Sequence, residues 1–230
     1  MIPVVEVSLE ALAVIWAPLR TLSRVAEERR VLLGFAVTAL YAALSIIVAG
    51  LGVFTLTQAP SQFEGQALPP EFFESYLGLI GAFTVVWAVA SPFIFWLLVS
   101  GLMHLVTHFF GGTGPFSRML AVVGVAQAPL VIASAIQIPI TGLQILLGFE
   151  NPATTAAGWL SGLLNLAAFL WFMVLVVIGV AFARRVGYRE SASSCAISCA
   201  GCIGLIILVF VVIVAVFVLL AGALNSAGTT

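Results

Sequence analysis

Residues 104–118 read HLVTHFFGGTGPFSR. Two histidines four apart, three glycines within four positions and a closing arginine admit three readings: a metal site, a phosphate-cradling loop, or a turn between two membrane spans. The flanking sequence decides among them. The apolar runs 77–107 and 119–141 lie on either side, each with the ~20 residues needed to cross a hydrocarbon core of about 30 Å. A Walker loop needs a lysine, of which this sequence has none, and a dinucleotide fingerprint needs a preceding strand in a βαβ unit. The glycines are therefore read as a turn, with Pro115 opening the next helix.

Working outward, the same composition fills the chain. Of 230 residues, 63% are hydrophobic and only 7% charged, and the mean hydropathy is +1.25. That profile excludes an ordinary soluble domain. Apolar segments at 31–57, 77–107, 119–141, 159–183 and 195–224 predict an all-α, polytopic membrane protein with five transmembrane helices. Residues 1–30 form a cytoplasmic amphipathic segment and residues 31–230 a five-span transmembrane domain. Within the first, Leu12, Ile15, Trp16 and Leu19, then Leu22, Val25 and Ala26, recur at helical spacing among charges. This predicts a short amphipathic helix, with a break at Pro18, lying on the inner leaflet or stacked on the cytoplasmic face. With no basic n-region, and with Glu6 and Glu10 interrupting the first apolar stretch, the N-terminus is expected to be retained.

Orientation follows from the arginines. Arg20, Arg24, Arg29 and Arg30 precede span one, Arg118 lies between spans two and three, and Arg184, Arg185 and Arg189 lie between spans four and five. With five spans all eight fall on one side, which the positive-inside rule makes the cytoplasm, so the N-terminus is inside and the C-terminus outside. Arg20, Arg24, Arg29, Arg30, Arg118, Arg184 and Arg185 are candidate contacts for anionic lipid headgroups. The absence of lysine, with abundant Ala, Gly and Arg, suggests GC-rich codons and a prokaryotic cell membrane.

The candidate chemistry is sparse. His104 and His108 share a helical face, and Cys195, Cys199 and Cys202 fall within a narrow arc of another, so a Cys/His metal site is conceivable if both clusters meet at the inner leaflet. Small-residue packing at SASSCAISCAGC and hydrogen-bonded interfacial histidines account for them as well, and no resident metal or cofactor is expected. Every acidic residue lies outside the expected spans, which leaves no intramembrane carboxylate for catalysis. Pro92, Pro129 and Pro139 should kink spans two and three. Pro92, Gln127, Gln137 and Asn165 are candidates for a permeation or substrate path, the basis of an alternative transporter or channel reading. Gly158 with Gly162, and Ala196 with Ala200 and Gly204, are expected helix-contact faces, toward this chain or other membrane proteins. No nucleic-acid or nucleotide partner is expected.

APLRTLSRVAEERR at 17–30, FWLLVSGLMHLVTHFFGGTGPFSRMLAVVGVAQAP at 95–129 and ARRVGYRESASSCA at 183–196 together resemble the Yip1 domain family. The best matches are the Gly111–Gly112 turn, Phe116 and Pro129. The resemblance implies five spans, a cytoplasmic N-terminus and a non-enzymatic role. Eukaryotic relatives bind Rab-type GTPases and carry a long cytoplasmic N-terminal extension; no such extension, and no GTPase binding, is expected for this sequence. The expected role is that of a membrane organiser or adaptor acting through helix packing and an arginine-rich cytoplasmic face.

Overall fold

The structure, a computed structural model, describes residues 13–28, 30–57, 70–148, 151–201 and 211. Every element among them is helical. A helical turn at 13–16 stops at Ala17, and α1 (Pro18–Glu28) begins on the proline, whose fixed φ and missing N–H suit a first turn. There follow α2 (Val31–Thr57), α3 (Pro70–Phe109), α4 (Phe116–Ala126), α5 (Ala128–Leu147) and α6 (Pro152–Arg184). A further helix, α7, occupies 188–201.

Among the described residues, four stretches are long and apolar enough to cross a membrane: Val31–Thr55, Gly78–Phe109, Phe116–Leu147 and Pro152–Arg184. They coincide with the first four expected spans, and the large exposed side chains on them, such as Phe83, Trp87, Leu163 and Leu170, are those a bilayer would solvate. Of the expected fifth span at 195–224, only its start and Val211 are among the described residues.

The third span is two helices. Pro129 has no N–H to offer the carbonyl one turn back, so the ladder fails there. The chain breaks at Gln127, whose N–H bonds Gly124 O at 3.2 Å, and its own carbonyl then accepts from Leu130 and Val131 to start α5. By contrast α3 continues through Pro92 and α5 through Pro139.

Helix α4 is the centre of the bundle and packs against α1, α2, α3 and α6. Met119, Ala121, Val122, Val123, Val125 and Ala126 are all fully buried. Its closest neighbour is α2, where two glycines meet: a Cβ on Gly124 would lie 2.5 Å from Gly34 Cα, and one on Gly34 would lie 2.9 Å from Leu120 O. Trp96 of α3 fixes the other side by donating its indole N–H to Leu120 O at 2.8 Å.

Packing places two of the faces named from the sequence. First, α1 does not lie across the bundle end. Leu22 comes up against Gly179, Ala26 and Glu27 share a cleft with Ala181 and Phe182, and Ile15 and Trp16 share another with Ala168 and Trp171. That parallel register runs 13–28 alongside α6 for about 20 Å at 1.5 Å per residue, with Val14, Leu22 and Val25 in the core. A helix aligned with a spanning helix cannot also lie flat on the leaflet. Second, α7 turns Ser191, Ser194, Cys195 and Ser198 inward, while Ala196 and Ala200 are exposed. The Ser191 hydroxyl donates to Val177 O at 2.6 Å, which sets that rotation. Gly158 and Gly162 are likewise exposed, and no described residue comes within 4 Å of a Cβ placed on Gly162. Gly204 lies outside the described residues.

Candidate functional site

The arginines gather where α3 ends, α4 begins and α6 ends. The turn between α3 and α4 is built by local bonds: Gly111 N–H to His108 O at 3.1 Å and Gly112 N–H to Thr107 O at 2.9 Å. Gly111 takes φ 79°, the left-handed region in which a side chain is strained. Gly114 is constrained by space instead, since a Cβ there would overlap the Ala183 carbonyl. The loop therefore lies directly on the C-terminus of α6, and Thr113 N–H donates to Arg184 O at 3.0 Å.

Arg184 locks that contact. It is 3% exposed, and its guanidinium donates to Thr107 Oγ1 at 3.1 Å, to Gly112 O at 2.6 Å and to Gly114 O. Thr107 passes the bond on by donating to Met103 O at 2.6 Å. All three acceptors are neutral, so the buried charge is satisfied by dipoles rather than by a carboxylate. Arg184 is thus a structural strut, not a headgroup contact. Its neighbour Arg185 takes φ 57° and closes α6 with an N–H to Ala181 O, which turns its side chain outward.

Outside this lock lies a cavity of about 230 Å³, lined by Ser23, Ala26 and Glu27 of α1, Arg118 of α4, and Ala181, Phe182 and Arg185 at the end of α6. Arg118 Nε is buried and has no hydrogen-bond partner among the described residues. Two guanidinium groups against one carboxylate leave the cavity net positive. A lone anionic oxygen cluster, such as a phosphodiester, suits this donor set.

The other arginines are dispersed: Arg20 and Arg24 are exposed on α1, Arg30 pairs with Glu28, and Arg29 lies outside the described residues. Phe116 packs edge-on against His104 with ring centroids 5.3 Å apart, and His108 is exposed. Among the described residues the histidines and thiols lie apart: Cys195 and Cys199 pack on Met173, eleven residues and about 16 Å down α6 from Arg184. No group of three His, Cys, Asp or Glu side chains converges among the described residues, and Cys202 lies outside them.

Of the candidate permeation residues only Pro92 and Asn165 share a cavity. Gln127 is sealed in the core at 0% exposure, and neither amide atom has a partner among the described residues. Pro92 and Asn165 line a separate cleft of about 370 Å³ with Tyr41, Ser91 and Phe169. Gln137 is half-buried ten residues beyond Gln127, about 15 Å along α5. Sequence reasoning missed Thr107, Ser23 and Glu27. It could have placed Arg184, which continues the buried phase of Phe172, Val176 and Val180 on α6 at i+4 steps.

An uncharacterized protein of Methanocaldococcus jannaschii is 30% identical over 92 residues, a match that covers 38% of this chain and 65% of that protein. No solved structure matches the chain. The Yip1 domain matches residues 12–224, from the turn before Pro18 through the close-packed glycine loop and beyond α7, so this multi-pass membrane protein belongs to the Yip1 domain family.

Proposed function

We propose that the protein is a non-catalytic organiser of a prokaryotic cell membrane, with five spans, its N-terminus and arginine end in the cytoplasm and its C-terminus outside. In this reading residues 31–230 form one transmembrane domain and the N-terminal segment leans on it. The cavity between Arg118 and Arg185 holds the headgroup of an anionic lipid of the inner leaflet. The exposed small-residue faces at Gly158 and Gly162, and at Ala196 and Ala200, receive a helix of another membrane protein or a second copy. The observation that carries the proposal is the net-positive cavity walled by three helices, with a buried guanidinium nitrogen left without a partner.

Each arginine near an anionic surface contributes about 1 kcal/mol. Phosphatidylglycerol should therefore raise the melting temperature of the purified protein more than phosphatidylcholine does, and the difference should vanish in an Arg118→Gln/Arg185→Gln double variant. Equal stabilisation of wild type and double variant by phosphatidylglycerol would remove the headgroup assignment.

A further inference from the structure

Three sulfur atoms from two helices converge inside the bundle. Cys195 Sγ of α7 lies 3.9 Å from Met173 Sδ of α6, and Cys199 Sγ lies 4.0 Å from the same thioether. The two cysteines stand at i and i+4, one turn apart on one helix face, so both reach the same point on α6. Cys195 is 9% exposed and belongs to the core with Phe172 and Val176. Ser198, on the residue before Cys199, is 7% exposed, and its hydroxyl has no hydrogen-bond partner among the described residues.

We infer that Met173, Cys195 and Cys199 form a binding site for a soft monovalent metal ion, Cu(I). The spacing is what a metal requires. With metal–sulfur bonds of about 2.3 Å, a trigonal centre separates its sulfurs by about 4 Å, the separation that each thiol already has from the Met173 thioether. The donor set selects the ion. Two thiols and a thioether are soft ligands, whereas zinc prefers four ligands drawn from thiolate, imidazole and carboxylate, and no such group assembles here among the described residues. Binding replaces two thiol protons: Cu⁺ plus two S–H groups gives two Cu–S bonds and two released protons, with no change of oxidation state. The thioether donates a lone pair and loses nothing. Ser198 can then hydrogen-bond the charge that appears on sulfur. The packing of three sulfurs alone would satisfy van der Waals contact without any of these consequences, and the experiment separates the two.

The test is a titration of the full-length, detergent-solubilised protein with Cu(I) in the presence of a competing chromogenic Cu(I) chelator and reductant, followed by X-ray absorption of the loaded sample. Wild type should take one ion on three sulfurs, with affinity that rises with pH as the thiols surrender their protons. Cys195→Ser and Cys199→Ser should each weaken binding by about 100-fold or more, and Met173→Leu by about tenfold with the sulfur count falling to two. Leu conserves the volume of Met, so Met173→Leu keeps its fold, checked by its metal-free melting temperature. Cys202→Ser should bind as wild type does. The inference is overturned if wild type competes no better than the Cys195→Ser/Cys199→Ser double variant, if Met173→Leu retains three sulfur ligands, or if Cys202→Ser abolishes binding.

Discussion

Arg184 and Arg185 are adjacent and chemically identical, yet one is buried among carbonyls and the other faces a cleft. Replacing Arg184 by Leu would leave two loop carbonyls and the Thr107 hydroxyl with a lost donor, at a cost of about 2–4 kcal/mol. Thermal denaturation in detergent should show Arg184→Leu well below wild type and Arg185→Gln close to it. Glycines of the same loop separate in a similar way: Gly111→Ala costs the left-handed penalty of about 1–2 kcal/mol, whereas Gly114→Ala must push α6 away and should cost more. The distinction between the arginines was legible in the sequence as helical phase. The distinction between the glycines was not, because it depends on the Ala183 carbonyl, some seventy residues away.

Among the elements, α4 shows how much a hydropathy profile leaves out. The profile found an apolar span across 119–141, and proline chemistry marked where it should bend, but nothing local said that its first half would be the buried centre. The GxxxG spacing drew attention to Gly158 and Gly162, and both are exposed. The close crossing instead uses Gly34 and Gly124, single glycines on separate helices whose pairing no spacing within one helix reveals. Gly124→Ala should therefore separate α2 from α4 and destabilise by about 1–3 kcal/mol. Gly101→Ala, on open helix surface with nothing within 4 Å of its Cβ, should be neutral or slightly stabilising through helix propensity. Melting temperatures of the two single variants check this contrast directly.

Taken as a whole, the molecule is legible at two levels. Composition gave the all-helical membrane class and charge gave a candidate orientation, because bilayer solvation acts on every residue and averages into simple statistics. Side-chain convergence across helices, at Arg184 and at Met173, averages into nothing and appears only once the helices are packed. The proposed orientation predicts that a reporter fused after Thr230 reads as extracytoplasmic and that a tag between Gln58 and Glu74 is labelled by impermeant reagent in intact cells. A cytosolic signal from Thr230 would reverse the reading of the arginine end.

The reach of the Arg184 side chain also sets an order of events at the ribosome. Its partners Gly114, Gly112 and Thr107 precede it by 70, 72 and 77 residues. At about 5–20 residues per second of synthesis, the glycine turn waits several seconds with its carbonyls bonded only to water. The hairpin is therefore left open during biogenesis and sealed late, by the residue that completes the fourth insertion.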